Sequence, residues 1–276
     1  MSRTEMDPLS FSAVLYNSLR DIDIPSISKG HTKMAFSSVL LLGYFGGFYM
    51  DWRYLLFMLP AMALAGLAQL WLSSAYARGQ AVPTRMTGFM AARQILDAAG
   101  LHQVEIEPIP GQLSDHYDPR ADVLRLSENV YRGQSAAAVG IAAHEAGHAL
   151  QKHSGYIPLI IRNIAVPAAN FGSSTGMFIV FFGLIFRQHW LLGLGIAIFS
   201  FVVFFQLVNL PVEWNASSRA KRLLEEMGIV PAQDMGAVRS VLNAAALTYV
   251  AGALQSVMTL LYYLMIFMGS GSRRRD

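Results

Sequence analysis

The sequence predicts a mainly α-helical, polytopic membrane protein with three or four transmembrane helices and a small α+β region that contains a short sheet. Apolar residues make up 54% of the chain and charged residues only 14%, whereas about a quarter of a typical soluble domain is charged. Several apolar runs approach the roughly 20 residues that a helix needs to cross the hydrocarbon core. Two polar blocks separate these runs.

Four apolar stretches are long enough, or nearly long enough, to cross the membrane, and two of them form a hairpin. The first transmembrane helix is predicted within 51–76, a transmembrane hairpin within 171–210, and the last transmembrane helix within 242–268. A polar and aromatic break at 187–190 divides the hairpin, as suits a turn at a membrane interface.

The first 50 residues form an N-terminal extension with an apolar run at 34–50. That run could span the membrane, lie at the interface or be re-entrant, so an extra crossing stays open. The extension does not resemble a signal peptide, because acidic residues precede every apolar run. Its polar first part leaves open whether the chain starts at Met1 or at Met34.

Charge asymmetry predicts the orientation in the membrane. The polar blocks 77–170 and 211–241 lie on the same side of the predicted spans and carry twelve Lys and Arg residues, against five on the other side. The basic tail 269–276 counts for the other side. Because positive charge concentrates in cytoplasmic loops, the two blocks are expected to face the cytoplasm.

Composition also limits the function. Basic residues are scattered and the net charge is only +3, so no nucleic-acid partner is expected. The chain has no cysteine, which excludes disulfides and thiolate metal sites. A transition-metal site would therefore use His, Asp or Glu.

One motif carries recognisable chemistry, and its residues are His144-Glu145-Ala146-Gly147-His148, an HExxH pattern. The surrounding stretch is rich in alanine and free of proline, which predicts a helix. Residues four apart lie on one helical face, so both imidazoles can reach one tetrahedral ion. Zinc suits such a site, and Glu145 is then placed to take a proton from a zinc-activated water.

A third ligand has to come from elsewhere in the chain. Residues 151 and 154 are Gln151 and Ser154, which excludes the HExxHxxGxxH layout with three histidines. Glu213 follows Pro211, in the first turn of a predicted helix, where the helix dipole alone would also favour an acid. Spacing does not by itself separate Glu213 from the other candidates, Glu225, Glu226 and Asp234.

Short apolar alternations between 101 and 127 predict a small sheet beside the HExxH helix. Its edge could bind an extended peptide by adding a strand, or the hairpin could only cover the helix. His116 or Tyr117 could donate a hydrogen bond to the oxyanion of an amide-hydrolysis intermediate. A surface turn is the simpler interpretation of this polar cluster.

Five blocks of sequence resemble the YugP-like neutral zinc metallopeptidases, and they occur in that family's order: Asp115-His116-Tyr117-Asp118-Pro119-Arg120, Leu126-Ser127-Glu128, the HExxH segment through Gln151, Pro211-Val212-Glu213-Trp214-Asn215-Ala216-Ser217, and Leu242-Asn243-Ala244-Ala245-Ala246-Leu247-Thr248-Tyr249. The likeness runs from about Tyr49 to Met268. It implies a zincin-like catalytic region of the gluzincin type in a bacterial cell (inner) membrane protein, with one zinc ion per chain.

The resemblance also implies roles for individual residues. Glu213 stands where similar membrane peptidases carry a glutamate ligand on a later helix. Those proteins have an aspartate four residues further on that steadies a zinc histidine, and here Ser217 occupies that position. Ser217 and Asn215 are therefore candidates for supporting the ligands. Tyr249 could serve the oxyanion or the substrate, although tyrosine at this depth is also a common interface anchor.

Two functions remain in competition at the level of sequence. The first is a zinc metallopeptidase that is embedded in the lipid bilayer and acts on peptide or membrane-protein substrates. The second is a non-enzymatic membrane scaffold or transport component with a structural metal site, against which Glu145 argues because such a site has no use for it. The sequence does not predict the physiological substrate, endo- or exopeptidase action, the depth of cleavage in the bilayer or the oligomeric state.

Overall fold

The computed structural model describes residues 52–111 and 114–272, so the 34–50 run, the rest of the N-terminal extension and the end of the basic tail lie outside the described residues. In chain order, the elements are α1 (Trp52–Gln80), α2 (Gly88–Ala98), β1 (Glu105–Ile109), β2 (His116–Asp118), β3 (Val123–Ser127), α3 (Glu128–Tyr131), α4 (Ala136–His153), α5 (Ile157–Phe171), a π-helical turn (Gly172–Gly176), α6 (Met177–Ile185), α7 (His189–Glu226) and α8 (Met235–Ser272). The predicted mainly α fold with a short sheet is confirmed.

Within the described part of the chain, four helical segments are long and apolar enough to cross a membrane. They are α1, the continuous stretch Ile157–Ile185, α7, and Met235–Gly269 of α8. The 38 residues of α7 make a rod about 57 Å long, nearly twice the roughly 30 Å of a hydrocarbon core. All charged residues of α7 lie in its C-terminal part, from Glu213 onward, so this part projects out of the apolar layer.

The first half of the hairpin begins at Ile157 and not near Phe171, where the apolar pattern of the sequence places it. Arg162, Asn163 and Pro167 interrupt that pattern, yet helix α5 runs through them and joins α6 through the π-helical turn. Two glycines in that turn let α7 come close. A Cβ added at Gly172 would lie 2.8 Å from the Ile198 carbonyl oxygen.

Helix α4 lies in the centre of the α/β region and is buried along most of its length. Ser135 caps its start, since the Ser135 hydroxyl accepts a hydrogen bond from the Ala138 amide at 3.2 Å. Small residues allow its neighbours to approach closely. A Cβ at Gly140 would lie 3.2 Å from the Val238 side chain of α8, and one at Gly79 of α1 would lie 3.1 Å from Ala137.

The sheet has the strand order β1-β3-β2. Strand β3 pairs in parallel with β1 and antiparallel with β2, where Tyr117 lies opposite Leu124. The alternations in the sequence predict β1 and β3, whereas three residues are too few to show a period in β2. The strand order makes β2 an edge strand, and it packs beside α4.

Chain connectivity places the α/β region at one end of the helices. It follows the C-terminal end of α1 and precedes the start of α5, while the turn between α7 and α8 lies at the same end. The polar segments therefore share one side of the four apolar helices, as the hydropathy pattern predicts.

Candidate metal centre

Two histidines of α4 and one glutamate of α7 converge at the centre of the molecule. His144 and His148 lie one turn apart, with ring centroids 4.8 Å apart and nearly perpendicular planes. The Glu213 Oε2 atom lies 3.2 Å from His144 Nε2 and 3.7 Å from His148 Nε2. One potential ligand atom from each residue lies within 4.8 Å of both others.

This set of donors fits a zinc ion. Zn–N and Zn–O bonds of about 2.0–2.1 Å at tetrahedral angles separate neighbouring ligand atoms by about 3.3 Å, close to the two distances from Glu213. Two imidazoles and one carboxylate are also the ligand set of catalytic zinc sites that keep a fourth position open. His144 and Glu213 are almost completely buried, so protein atoms enclose the site on that side.

A second layer of contacts holds both imidazoles through their Nδ1 atoms. Ser217 Oγ lies 3.0 Å from His144 Nδ1, and Gln151 Oε1 lies 2.9 Å from His148 Nδ1. With Nδ1–H donated to these oxygens, each ring presents the lone pair of Nε2 towards Glu213. Partners of this kind fix the tautomer and the orientation of metal-binding histidines.

Gln151 connects this layer to α7. Its Nε2 atom donates to the Val212 carbonyl at 2.8 Å and to Asn215 Oδ1 at 3.0 Å. Arg219 in turn donates from Nε to the same Asn215 oxygen at 2.8 Å. Asn215 therefore reaches His148 only through Gln151, whereas Ser217 touches His144 directly.

Gly147 sets the distance between the two helices that carry the candidate ligands. A Cβ added there would lie 2.9 Å from the Ala216 carbonyl oxygen and 3.3 Å from the Ala216 Cα atom, both in the backbone of α7. The two helices can approach this closely because residue 147 has no side chain.

Glu145 lies beside the metal ligands and is 2% exposed. Burial raises the pKa of Glu145 to about 8, and the negative charges of Glu213 and Asp115 add to this rise. The amide of Tyr117 in β2 donates to Glu145 Oε2 at 3.2 Å. The edge strand thus contacts the candidate general base through its backbone.

Burial and charge act differently on the two histidines. Burial lowers the pKa of His144, so its neutral, metal-binding form is favoured. Burial also opposes a charge on His148, but the Glu213 carboxylate outweighs it and raises the pKa of His148. A cation at the site would replace that proton as the partner of the carboxylate.

The buried side chain of Tyr249 on α8 faces the same centre. Tyr249 and Glu213 both line a cavity of about 480 Å³ between α7 and α8. Tyr249 therefore lies next to a potential metal ligand, and its suggested role with an oxyanion or the substrate stays a prediction.

The other sequence candidates lie elsewhere. His116 Nδ1 lies 2.8 Å from the Ser114 carbonyl oxygen, and its suggested role with an oxyanion stays a prediction. The Tyr117 hydroxyl hydrogen-bonds Asp122, and its suggested role with an oxyanion also stays a prediction. Glu225 pairs with Arg239 at 2.6 Å on the surface, and neither Glu226 nor Asp234 belongs to the cluster of potential ligands found in the described residues.

Two contacts of the site escaped the sequence reasoning. In the sequence, Gln151 shows only that the three-histidine pattern is broken. Its position three residues after His148, which puts both residues on one helical face, is the signal that could have indicated their contact. The contact from the Tyr117 amide to Glu145 leaves no trace in the sequence, because any residue supplies the same backbone donor.

The convergence of an HExxH helix and a glutamate from a later helix is the arrangement of zinc hydrolases, and the comparisons agree with that class. Residues 54–268 match the model of the family described as "Putative neutral zinc metallopeptidase", and the chain belongs to this family. It is 48% identical over 182 residues to the "Putative membrane protease YugP" of Bacillus subtilis (strain 168), an alignment that covers 66% of this chain and 81% of the relative. No solved structure matches the chain.

Together, the relative and the four apolar helices identify the chain as a membrane protein. The resemblance seen in the sequence is confirmed.

Proposed function

We propose that this protein is a membrane-embedded zinc metallopeptidase of the gluzincin type that binds one Zn²⁺ per chain through His144, His148 and Glu213. The observation that carries the proposal is the convergence of these three side chains on one point, although α4 carries two of them and α7, a helix much later in the chain, carries the third. Zinc held there supplies a Lewis acid and brings the pKa of a coordinated water to about 7.

Glu145 is the general base in this proposal. Its carboxylate is 2% exposed and lies one residue along α4 from His144, in a buried setting that makes it a strong proton acceptor once a cation favours its ionised form. It takes a proton from the attacking water and passes it to the leaving amine. The Tyr117 amide holds one carboxylate oxygen, which leaves the other to accept the proton.

Tyr249 and strand β2 complete the arrangement. The Tyr249 hydroxyl is placed to donate a hydrogen bond to the oxygen of the scissile carbonyl as negative charge develops on it. The outer edge of β2 has no neighbouring strand in the described sheet, so an extended peptide can pair with it and be held beside Glu145.

The proposed location follows from the charge asymmetry of the sequence. We place the site on the cytoplasmic face of the inner membrane, at the end of the four helices where the α/β region lies. Peptides or membrane proteins that reach this boundary are the substrates that the proposal implies.

The test combines metal analysis with hydrolysis of an unstructured protein such as casein by the purified chain in detergent. Wild type is expected to contain one zinc per chain and to lose activity with a chelator. Glu145→Gln should keep zinc and lose hydrolysis by a factor of about 10² or more. Glu213→Ala should lose zinc, whereas Glu225→Ala, at a surface ion pair, serves as the matched control and should behave as wild type.

Two results would contradict the proposal. Unchanged zinc affinity in Glu213→Ala would remove Glu213 from the ligands. Failure of the zinc-loaded wild type to cleave any member of a broad peptide panel would favour a scaffold with a structural metal.

A further inference from the structure

A cavity of about 480 Å³ opens between α7 and α8 next to the candidate metal centre. Its volume falls within the range of roughly 300–1,000 Å³ that ligand sites occupy. Glu213 and Tyr249 form part of its wall, so the cavity is continuous with the side chains proposed to hold zinc and to stabilise the oxyanion. A group that enters it lies beside the reacting amide.

Apolar side chains make up much of the remaining wall. Leu210 and Pro211 contribute from α7, and Ala246 and Val250 contribute from α8. The small side chain of Ala246 leaves space that a larger residue at that position would occupy. An apolar side chain of the substrate would be transferred from water into this wall, which is favourable because its apolar surface leaves water.

The cavity lies where the two helices leave the apolar layer. On α7 it follows the uncharged stretch that ends before Glu213, and on α8 it precedes the long apolar stretch towards Gly269. Trp214, at the rim, is 65% exposed, as is common for tryptophan at a membrane interface. The mouth is therefore open to polypeptide segments at the surface of the bilayer.

We infer that this cavity is a specificity subsite that receives one large apolar side chain from the residue next to the scissile bond. The inference rests on the proposed function and adds to it a class of substrate: peptide segments with a Phe, Leu or similar residue beside the cleaved amide. Ala246 and Val250 are the residues that limit the size of the accepted side chain.

A lipid acyl chain is the competing occupant, and the wall argues against it. Polar side chains share the wall with the apolar ones, namely those of Glu213, Tyr249, Asn215 and Ser218, and a hydrocarbon chain has no polar groups to match them. A peptide brings a backbone carbonyl and amide together with its apolar side chain, so it can satisfy both parts of the wall.

The test uses two internally quenched peptides that differ only at the residue beside the scissile bond, Phe in one and Ala in the other. Zinc-loaded wild type is expected to cleave the Phe peptide with kcat/KM at least tenfold higher, since pocket contacts of even one methylene discriminate about 10–200-fold. Ala246→Phe should lower kcat/KM for the Phe peptide about 10–100-fold more than for the Ala peptide. Leu261→Phe, on α8 and outside the cavity, is the control and should match wild type.

A second variant, Val250→Trp, narrows the mouth at a position that is already 40% exposed and should repeat the effect if Ala246→Phe does not fold. Equal cleavage of both peptides by wild type would overturn the subsite while leaving the metallopeptidase intact. Loss of co-purified phospholipid in Ala246→Phe with an unchanged peptide preference would assign the cavity to an acyl chain and also overturn it. No cleavage of either peptide, nor of casein, would refute the proposed function itself.

Discussion

Replacement of Ser217 by alanine is expected to weaken zinc binding by about 10–100-fold, because it removes the partner of the His144 ring. The Ser217 hydroxyl lies 3.0 Å from His144 Nδ1. His144 has no exposed surface and Ser217 is only 4% exposed, so water has little room to replace the hydroxyl. The substitution changes a single atom and leaves the backbone contact with α4 in place.

The magnitude follows from two independent estimates. A buried donor that loses its acceptor costs about 1–3 kcal/mol. Loss of a hydrogen-bond partner of a metal-binding histidine costs about 10–100-fold in affinity, or about 1.4–2.7 kcal/mol. The two ranges overlap, since both describe an Nδ1–H group left without an acceptor when zinc occupies Nε2.

The assay is a competition titration of purified protein in detergent with a chromophoric zinc chelator. Ser217→Ala should still bind one zinc at saturation, with a raised Kd. Ser218→Ala is the matched control, because Ser218 is the next residue of α7 and lines the cavity with no hydrogen bond to either histidine. An unchanged Kd in Ser217→Ala, or an equal loss in the control, would refute the argument that this hydroxyl orients His144.

Three further predictions concern the geometry and charge of the site. Gly147→Ala should lower both the zinc affinity and the thermal stability, since its Cβ would lie 2.9 Å from the Ala216 carbonyl oxygen. The control for the zinc titration and for thermal unfolding is Gly236→Ala, because a Cβ at Gly236 meets nothing within 4 Å. Zinc affinity should fall as pH drops below about 6, because protons compete for the imidazoles, and a pH-independent Kd between pH 5 and 8 would contradict zinc binding by histidine. Burial opposes ionisation of Asp122, but hydrogen bonds from Tyr117, Lys152 and His153 lower its pKa to about 2. The stability that the ionised Asp122 contributes is present above its unfolded pKa of about 3.9 and is lost as pH falls through about 2. Between about pH 4 and 2, the melting temperature of wild type should therefore fall more steeply than that of Asp122→Asn.

The sequence allowed the general architecture to be predicted because hydropathy and periodicity are local signals. The apolar runs predicted the membrane helices, and the alanine-rich segment around His144 predicted a helix with both imidazoles on one face. The helix that carries the first half of the hairpin begins at Ile157, ahead of the apolar stretch predicted from about Phe171, since Arg162 and Asn163 interrupt an otherwise apolar helix. Their side chains are accommodated by contacts with another helix, as when Arg162 donates to Asn209 Oδ1 at 3.3 Å, and a local pattern cannot show such a partner.

The composition of the site was only partly predictable. Spacing left Glu213 among several acids, and the resemblance to a family singled it out. Gln151 was overlooked because its value depends on a contact with α7, 61 residues away from its Val212 partner. The contact between β2 and Glu145 could not be predicted, because the donor is the backbone amide of Tyr117 and any residue there would supply the same group.

The sequence by itself determined that this chain is rich in apolar helices long enough to cross a membrane. It also determined that His144, His148 and Glu145, the residue after His144, lie on one helix. These properties depend on residues near one another in the chain, so hydropathy and the 3.6-residue period suffice to express them. Only the tertiary structure decided which distant carboxylate faces the imidazoles, which side chains hold their Nδ1 atoms and that a cavity opens beside them. Those properties depend on how closely α4, α7 and α8 pack. Gly147 allows a short distance between α4 and α7, but only the folded chain shows that the backbone of Ala216 lies opposite it.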